Sequence, residues 1–136
     1  MARICLTLSF QKQLKSYHRH FTTELIVEDL RKFSIHGLGF GETVLFSRTY
    51  SEQPLEVVKI RFREGSTHAR YLTAITTTEG DLLPFFFSLK SERHGQNLGH
   101  RGGRETREIM LTALARVAEE YTSHSPENPT MLCFKF

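Results

Sequence analysis

Three cationic side chains alternate with apolar ones in the stretch "LEVVKIRFRE", which covers residues 55–64. Lys59, Arg61 and Arg63 are each separated from the next by one apolar residue. Successive side chains of a β-strand point to opposite faces, so this spacing places the three cations on one face. Like charges this close repel one another, and water or an anion against them relieves the repulsion. The pattern predicts a site for an anion such as phosphate.

Two further cations stand in the segments that follow. Arg70 begins "ARYLTAI", and Lys90 ends the apolar run "LLPFFFSLK". If these segments pair with the first as neighbours in a meander, all five cations meet on one sheet face. A simpler interpretation remains open, in which the cations only solubilise a half-exposed sheet. Their partners would then be nearby carboxylates, namely Glu56, Glu64 and Glu92.

The charge of the chain is concentrated in its middle. The formal net charge of the 136 residues is only +3, with a pI of about 9.0, which is weak evidence for an anionic partner. Between residues 59 and 107, however, nine Lys and Arg stand against five Asp and Glu. The segment "FSLKSERHGQNLGHRGGRE", residues 87–105, belongs to this region. It fits either one wall of a polyanion site or a solvated loop.

Length and composition predict a single globular domain, residues 1–136, with 39% hydrophobic and 24% charged residues. Neither a signal peptide nor a transmembrane span is recognisable, so a cytoplasmic protein without membrane contact is expected. Cys5 and Cys133 lie near the two ends of the chain, within apolar alternation. They are predicted to be buried and reduced, and their spacing suits neither a disulfide framework nor a zinc site. No metal or cofactor is predicted.

The periodicity of apolar residues predicts the order strand, two helices, three strands, helix, strand. This is an α+β domain on a small, largely antiparallel sheet, with two N-terminal helices and one further helix packed on it. Thr23 is a candidate cap of the second helix. The glycines of "SIHGLGFGET" predict a turn, since no strand–GxGxxG–helix context surrounds them. Pro84 marks an edge, a bulge or a strand start.

The order of elements resembles the RelE/HigB superfamily of toxins, which are messenger-RNA endonucleases. "SFQKQLKSYHRH" is similar to the opening helix of that family, and "LEVVKIRFRE" to its basic second strand. "ARYLTAITTTEGDLLPFFFSLKSE" is similar to the hairpin that follows, and "REIMLTALARVAEEY" to the next helix of HigB-type members. The resemblance spans roughly residues 4–121.

This resemblance implies a RelE-like fold and cleavage of messenger RNA without a metal, through attack of the ribose 2′-hydroxyl on the adjacent phosphate. Its expected partners are RNA, free or on the ribosome, and a cognate antitoxin protein. Carried over by position, Arg61, Arg70 and Lys90 hold the phosphate, His94 is the general acid, and Glu92 acts as base or orients His94. The remaining RNA contacts are assigned to Lys59, Arg63, Arg93 and Lys135.

The chain departs from the family at its end. Many members carry a Tyr or His there, whereas this chain reads "MLCFKF", in which Phe can stack on a base but cannot transfer a proton. It also has extra length in residues 34–57 and in the loop after residue 94. Two alternatives therefore stay open: a non-catalytic RNA- or protein-binding module of the same fold, and an unrelated α+β domain that binds a small molecule.

Overall fold

A computed structural model describes residues 2–17, 21–36, 43–50, 52–92 and 103–135. Within these residues the chain forms six strands and three α-helices, and a 3₁₀ turn over Lys15–Tyr17 follows the first helix. The bounds, in chain order, are β1 Arg3–Thr7, α1 Leu8–Leu14, α2 Thr23–His36, β2 Thr43–Tyr50, β3 Gln53–Glu64, β4 Thr67–Thr76, β5 Leu82–Leu89, α3 Arg104–Ser123 and β6 Met131–Lys135. The predicted α+β class is confirmed.

The six strands form one sheet in the order β2-β3-β4-β5-β1-β6. Neighbouring strands are antiparallel except β1 and β5, which run parallel. The strands β3, β4 and β5 form the predicted meander. The register shifts between Leu72 and Thr73, whose partners are Phe86 and Pro84, so Phe85 is bulged. Of the roles considered for Pro84, the structure shows the one beside a bulge.

Both faces of the sheet carry a hydrophobic core. The helices α1 and α2 cover one face, where Val58, Ile60 and Tyr71 are buried. The helix α3 covers the other face, where Leu55 and Val57 are buried. Because side chains alternate along β3, the second face continues past Val57 into the cationic positions that α3 leaves exposed.

Two details of the predicted order are corrected. The strand β2, which the sequence did not predict, precedes the meander. Its partner is β3, and the side chains of Phe46 and Tyr50 pack against the core beneath α3. The cap of α2 is Thr22, whose hydroxyl accepts a hydrogen bond from the Leu25 amide at 3.3 Å, and the helix begins at Thr23. The turn predicted over residues 34–43 is wrong at both ends, since α2 continues to His36 and β2 begins at Thr43; residues 37–42 lie outside the described residues.

The expectation of two reduced cysteines is wrong. Cys5 of β1 stands directly opposite Cys133 of β6, with their Cα atoms 4.1 Å apart, and the two form a disulfide. Antiparallel pairing of strands from the two ends of the chain brings them together across 128 residues, which spacing along the sequence does not reveal. The cysteines therefore give no support to the expected reducing compartment.

We predict that losing this disulfide destabilises the fold, because it closes a loop of most of the chain. The C5A/C133A variant should lose about 3–5 kcal/mol of unfolding free energy in urea titrations. Reductant should lower the midpoint of the wild type and leave that of the variant unchanged. A wild-type midpoint that does not respond to reductant would contradict the pairing.

A hydrogen bond joins the carboxylate of Asp29, on α2, to the strand β4 within the sheet. The hydroxyl of the fully buried Tyr71 donates to Asp29. Burial raises the pKa of Asp29, while the hydrogen bond from Tyr71 and the charge of Lys32 lower it in part. Because the folded state binds this proton more readily than the unfolded chain, the contribution of Asp29 to stability falls as pH rises from about 3.8 through the raised pKa.

Replacing Asp29 with Asn should remove that pH dependence while keeping an acceptor for Tyr71. We expect Asp29→Asn to be within about 1 kcal/mol of the wild type at pH 7. The wild type gains stability as Asp29 is protonated, whereas the variant does not. The unfolding free energy of the variant minus that of the wild type should therefore decrease as pH is lowered towards 4. Tyr71→Phe, which leaves the carboxylate without this donor, should destabilise at pH 7. A difference between Asp29→Asn and the wild type that is constant with pH would refute the assignment.

Candidate anion-binding site

The register of three strands brings the predicted cations together. Arg61 of β3 is directly opposite Arg70 of β4, and Arg63 is opposite His68. On the other side of β4, the amide of Lys90 donates to the carbonyl of His68 at 2.9 Å. We call the surface formed by Lys59, Arg61, Arg63, His68, Arg70 and Lys90 the cationic face.

A pocket of about 520 Å³ opens on the cationic face. Its lining residues are Arg61, Phe62, Arg63, His68, Ala69, Arg70 and Lys90. Arg61, Arg63, His68 and Lys90 are exposed, and Arg70 is half-buried. The side chains that can donate to an anion are therefore on an open surface that a large ligand can reach.

The charges of the cationic face act on one another. Lys59 lies half-buried at the boundary between the cationic face and the core under α3. Burial lowers the pKa of Lys59, and the positive charges of Arg70 and Arg61 lower it further. The negative charge of a bound anion would raise the pKa of Lys59 and so offset the effects of burial and of the neighbouring cations, because it favours the ammonium form.

The acidic partners expected under the simpler interpretation are not in place. Glu56 and Glu64 alternate onto the opposite face of β3. Across the described ranges, Lys59, Arg61, Arg63 and Lys90 make no ion pair with a carboxylate. Arg63 donates instead from Nε to the carbonyl of Gly65 at 2.7 Å, which holds its guanidinium beside the β3–β4 turn.

Glu92 has a structural task at the end of β5. Its Oε1 accepts hydrogen bonds from the Leu89 amide and the Tyr17 hydroxyl, both at 2.8 Å, and from the Ser88 hydroxyl at 3.4 Å. Burial raises the pKa of Tyr17, and the hydrogen bond to Glu92 adds to it, so Tyr17 remains a donor at neutral pH. Glu92 thus fastens the turn after β5 to the 3₁₀ turn Lys15–Tyr17.

One predicted residue, Lys135, does not join the cationic face, and two others cannot be placed relative to it. Lys135 of β6 lies opposite Arg3 in the register of β1 and β6, at the other end of the sheet. The carbonyl of Lys135 accepts hydrogen bonds from the Arg31 guanidinium at 3.1 and 3.2 Å. The parallel register of β1 and β5 puts Arg3 near the start of β5, about 25–30 Å along the strands from Lys90. Arg93 and His94 lie outside the described residues.

His68 is the residue of this site that sequence reasoning missed. The available signal was its position two residues before Arg70, which places both side chains on one face of β4. An imidazole adds to the site a side chain that can either accept or donate a hydrogen bond.

The described residues contain no cluster of three or more His, Cys, Asp and Glu side chains arranged to hold a metal ion. None of their helices combines the length and the apolar character needed to cross a bilayer. Comparison of the chain with protein-family models, curated proteins and solved structures gave no match. The site must therefore be interpreted from its own geometry and charge.

The repulsion within the cationic face predicts an unusual effect of mutation. Arg61→Ala removes a cation directly opposite Arg70 and should raise the unfolding free energy by up to about 1 kcal/mol at low ionic strength. The gain should shrink in high salt, because salt screens exposed charges. Arg116→Ala, on the exposed side of α3, is the matched control and should change little. Equal destabilisation by both substitutions would show that the repulsion is absent.

Proposed function

We propose that the protein binds single-stranded RNA on the cationic face and cleaves it as a metal-independent endoribonuclease of the RelE/HigB type. The observation that supports this most strongly is the meeting of Lys59, Arg61, Arg63, Arg70 and Lys90 on one open surface. Acidic side chains of the described residues do not neutralise Lys59, Arg61, Arg63 or Lys90. Like charges this close repel one another, and a bound anion would relieve that repulsion.

The size of the cationic face favours a polymer over a single phosphate. The pairs Arg61–Arg70 and Arg63–His68 are successive rungs on one face, separated by about 7 Å along the strands. Lys59 and Lys90 extend the cationic face on either side. Backbone phosphates repeated along a chain can occupy several such positions at once, and RNA binding of this kind depends on neutralising them.

The proposed reaction uses the ribose 2′-hydroxyl as nucleophile. Its oxygen bonds to the adjacent phosphorus and the bond from phosphorus to the 5′-oxygen breaks, which leaves a 2′,3′-cyclic phosphate and a 5′-hydroxyl. Arg61 and Arg70 stabilise the charge that develops on the phosphoryl oxygens, and Lys90 contributes from the edge. In this proposal His94 retains its expected role of protonating the 5′-oxygen.

A protein partner of the antitoxin class fits the same surface. An acidic or amphipathic segment of such a partner would supply carboxylates to Lys59, Arg61, Arg63 and Lys90, which make no ion pair within the described residues. Co-expression of a small acidic neighbour gene product should relieve the growth arrest caused by the protein alone. Growth that is unaffected by the protein would count against a toxin.

The proposal predicts salt-dependent binding and cleavage in the presence of a chelator. Binding of a fluorescent single-stranded RNA should weaken as salt increases, with a slope of about −0.7 for each phosphate neutralised. Arg61→Ala and Arg70→Ala should each weaken binding at least ~10-fold and reduce the slope by about one contact. The control Arg116→Ala should bind as the wild type does. Products should carry 2′,3′-cyclic phosphate ends.

Each outcome of this experiment has a consequence. Equal binding by the wild type, Arg61→Ala and Arg70→Ala would place any RNA contact elsewhere and refute the proposal. Binding without cleavage, on free messenger RNA and on translating ribosomes alike, would leave an RNA-binding module and refute the nuclease. Cleavage that appears only with an added divalent metal would refute the metal-independent mechanism.

A further inference from the structure

We propose that His68 is the general base that removes the proton from the attacking 2′-hydroxyl. This inference rests on the proposed ribonuclease function and assigns one of its roles to a residue that sequence reasoning did not select. It draws on the place of His68 in the pocket, on the chemistry of the side chains around it, and on the structural task of Glu92.

His68 lies inside the pocket rather than beside it. The register puts its side chain on the cationic face, opposite Arg63 on β3 and two residues before Arg70 on its own strand. The carbonyl of His68 is held by the Lys90 amide, which fixes the backbone at this point of β4. The imidazole is exposed, so a bound ribose can reach it.

Among the described residues that line the pocket, only His68 has a side-chain nitrogen that can accept a proton in its neutral form. The other polar lining residues can only donate hydrogen bonds, because Arg61, Arg63 and Arg70 carry guanidinium groups and Lys90 carries an ammonium group. Phe62 and Ala69 complete the lining and have no titratable group. A neutral imidazole has one nitrogen with a free lone pair.

Glu92, which the sequence offered as a base or as the group that orients His94, already serves the fold through one carboxylate oxygen. Its Oε1 already accepts three hydrogen bonds, from Leu89, Tyr17 and Ser88, and these fasten the turn after β5. Moving this carboxylate to a substrate would release the turn. His68 faces no such cost, since its side chain makes no hydrogen bond within the described structure.

The proton balance of the step is complete. The 2′-hydroxyl proton passes to the imidazole, the 2′-oxygen bonds to phosphorus, and the 5′-oxygen leaves and takes a proton from the acid. The imidazolium then returns its proton to water. The charged groups that face His68 are Arg61 and Arg63 of β3, Arg70 of β4 and Lys90 after β5, and none of them can take its place as acceptor.

The test compares His68→Gln with the wild type on a single-stranded RNA in the presence of a chelator. We expect the rate constant for bound RNA to fall about 100-fold, with the dissociation constant unchanged within about 2-fold. The fall in wild-type rate at acid pH should disappear in the variant. Imidazole added to His68→Ala should restore part of the rate, whereas it should not restore Arg61→Ala. His124→Gln, just after α3 and outside the pocket lining, is the matched control.

The outcomes separate this inference from the function on which it rests. Full cleavage by His68→Gln would overturn the role of His68 and leave the ribonuclease intact, whereas an inactive wild type would overturn the ribonuclease itself. A second substrate, in which sulfur replaces the leaving 5′-oxygen, needs no proton on its leaving group. If that substrate restores the rate of His68→Gln, His68 is an acid and its assignment as base is wrong. A persisting defect supports the base.

Discussion

The pairing of β3 with β4 is the constraint on which the cationic face depends. Val58 and Ile60 of β3 and Tyr71 of β4 are buried beneath α1 and α2, and their alternation sets which residues face the other way. A slip of one residue would move every side chain of a strand to the opposite face and expose this core. The hydrophobic core on one face therefore forces Arg61 against Arg70 on the other.

The cations that we propose to bind RNA repel one another in the free protein. Opposed cations on neighbouring strands repel, and the lowered pKa of Lys59 reports the cost of keeping charges close together at a partly buried position. Away from the cationic face, hydrogen bonds and an ion pair join segments that are distant in the chain. Asp81, fully buried, accepts from the Arg3 amide and guanidinium and from the Tyr121 hydroxyl, and so ties β1, β5 and α3 together at the end of the sheet away from Lys90.

The sequence predicted those parts of the structure that follow from local alternation. The faces of β3, the meander and the helix α3 are examples. It did not predict contacts between distant segments, because these depend on register. The pairing of Cys5 with Cys133 and the hydrogen bond from Tyr17 to Glu92 are both of this kind. His68 was overlooked because its importance comes from its neighbours across the sheet.

The central claim is that RNA contacts the cationic face, and amide chemical shifts during an RNA titration test it most directly. With a short single-stranded RNA at moderate salt, the account predicts that the largest changes fall on residues 59–63, 68–70 and 88–90. Amides of β6 and of the exposed side of α3 should change little. Changes concentrated on α2 and β6, or spread evenly over the molecule, would contradict it.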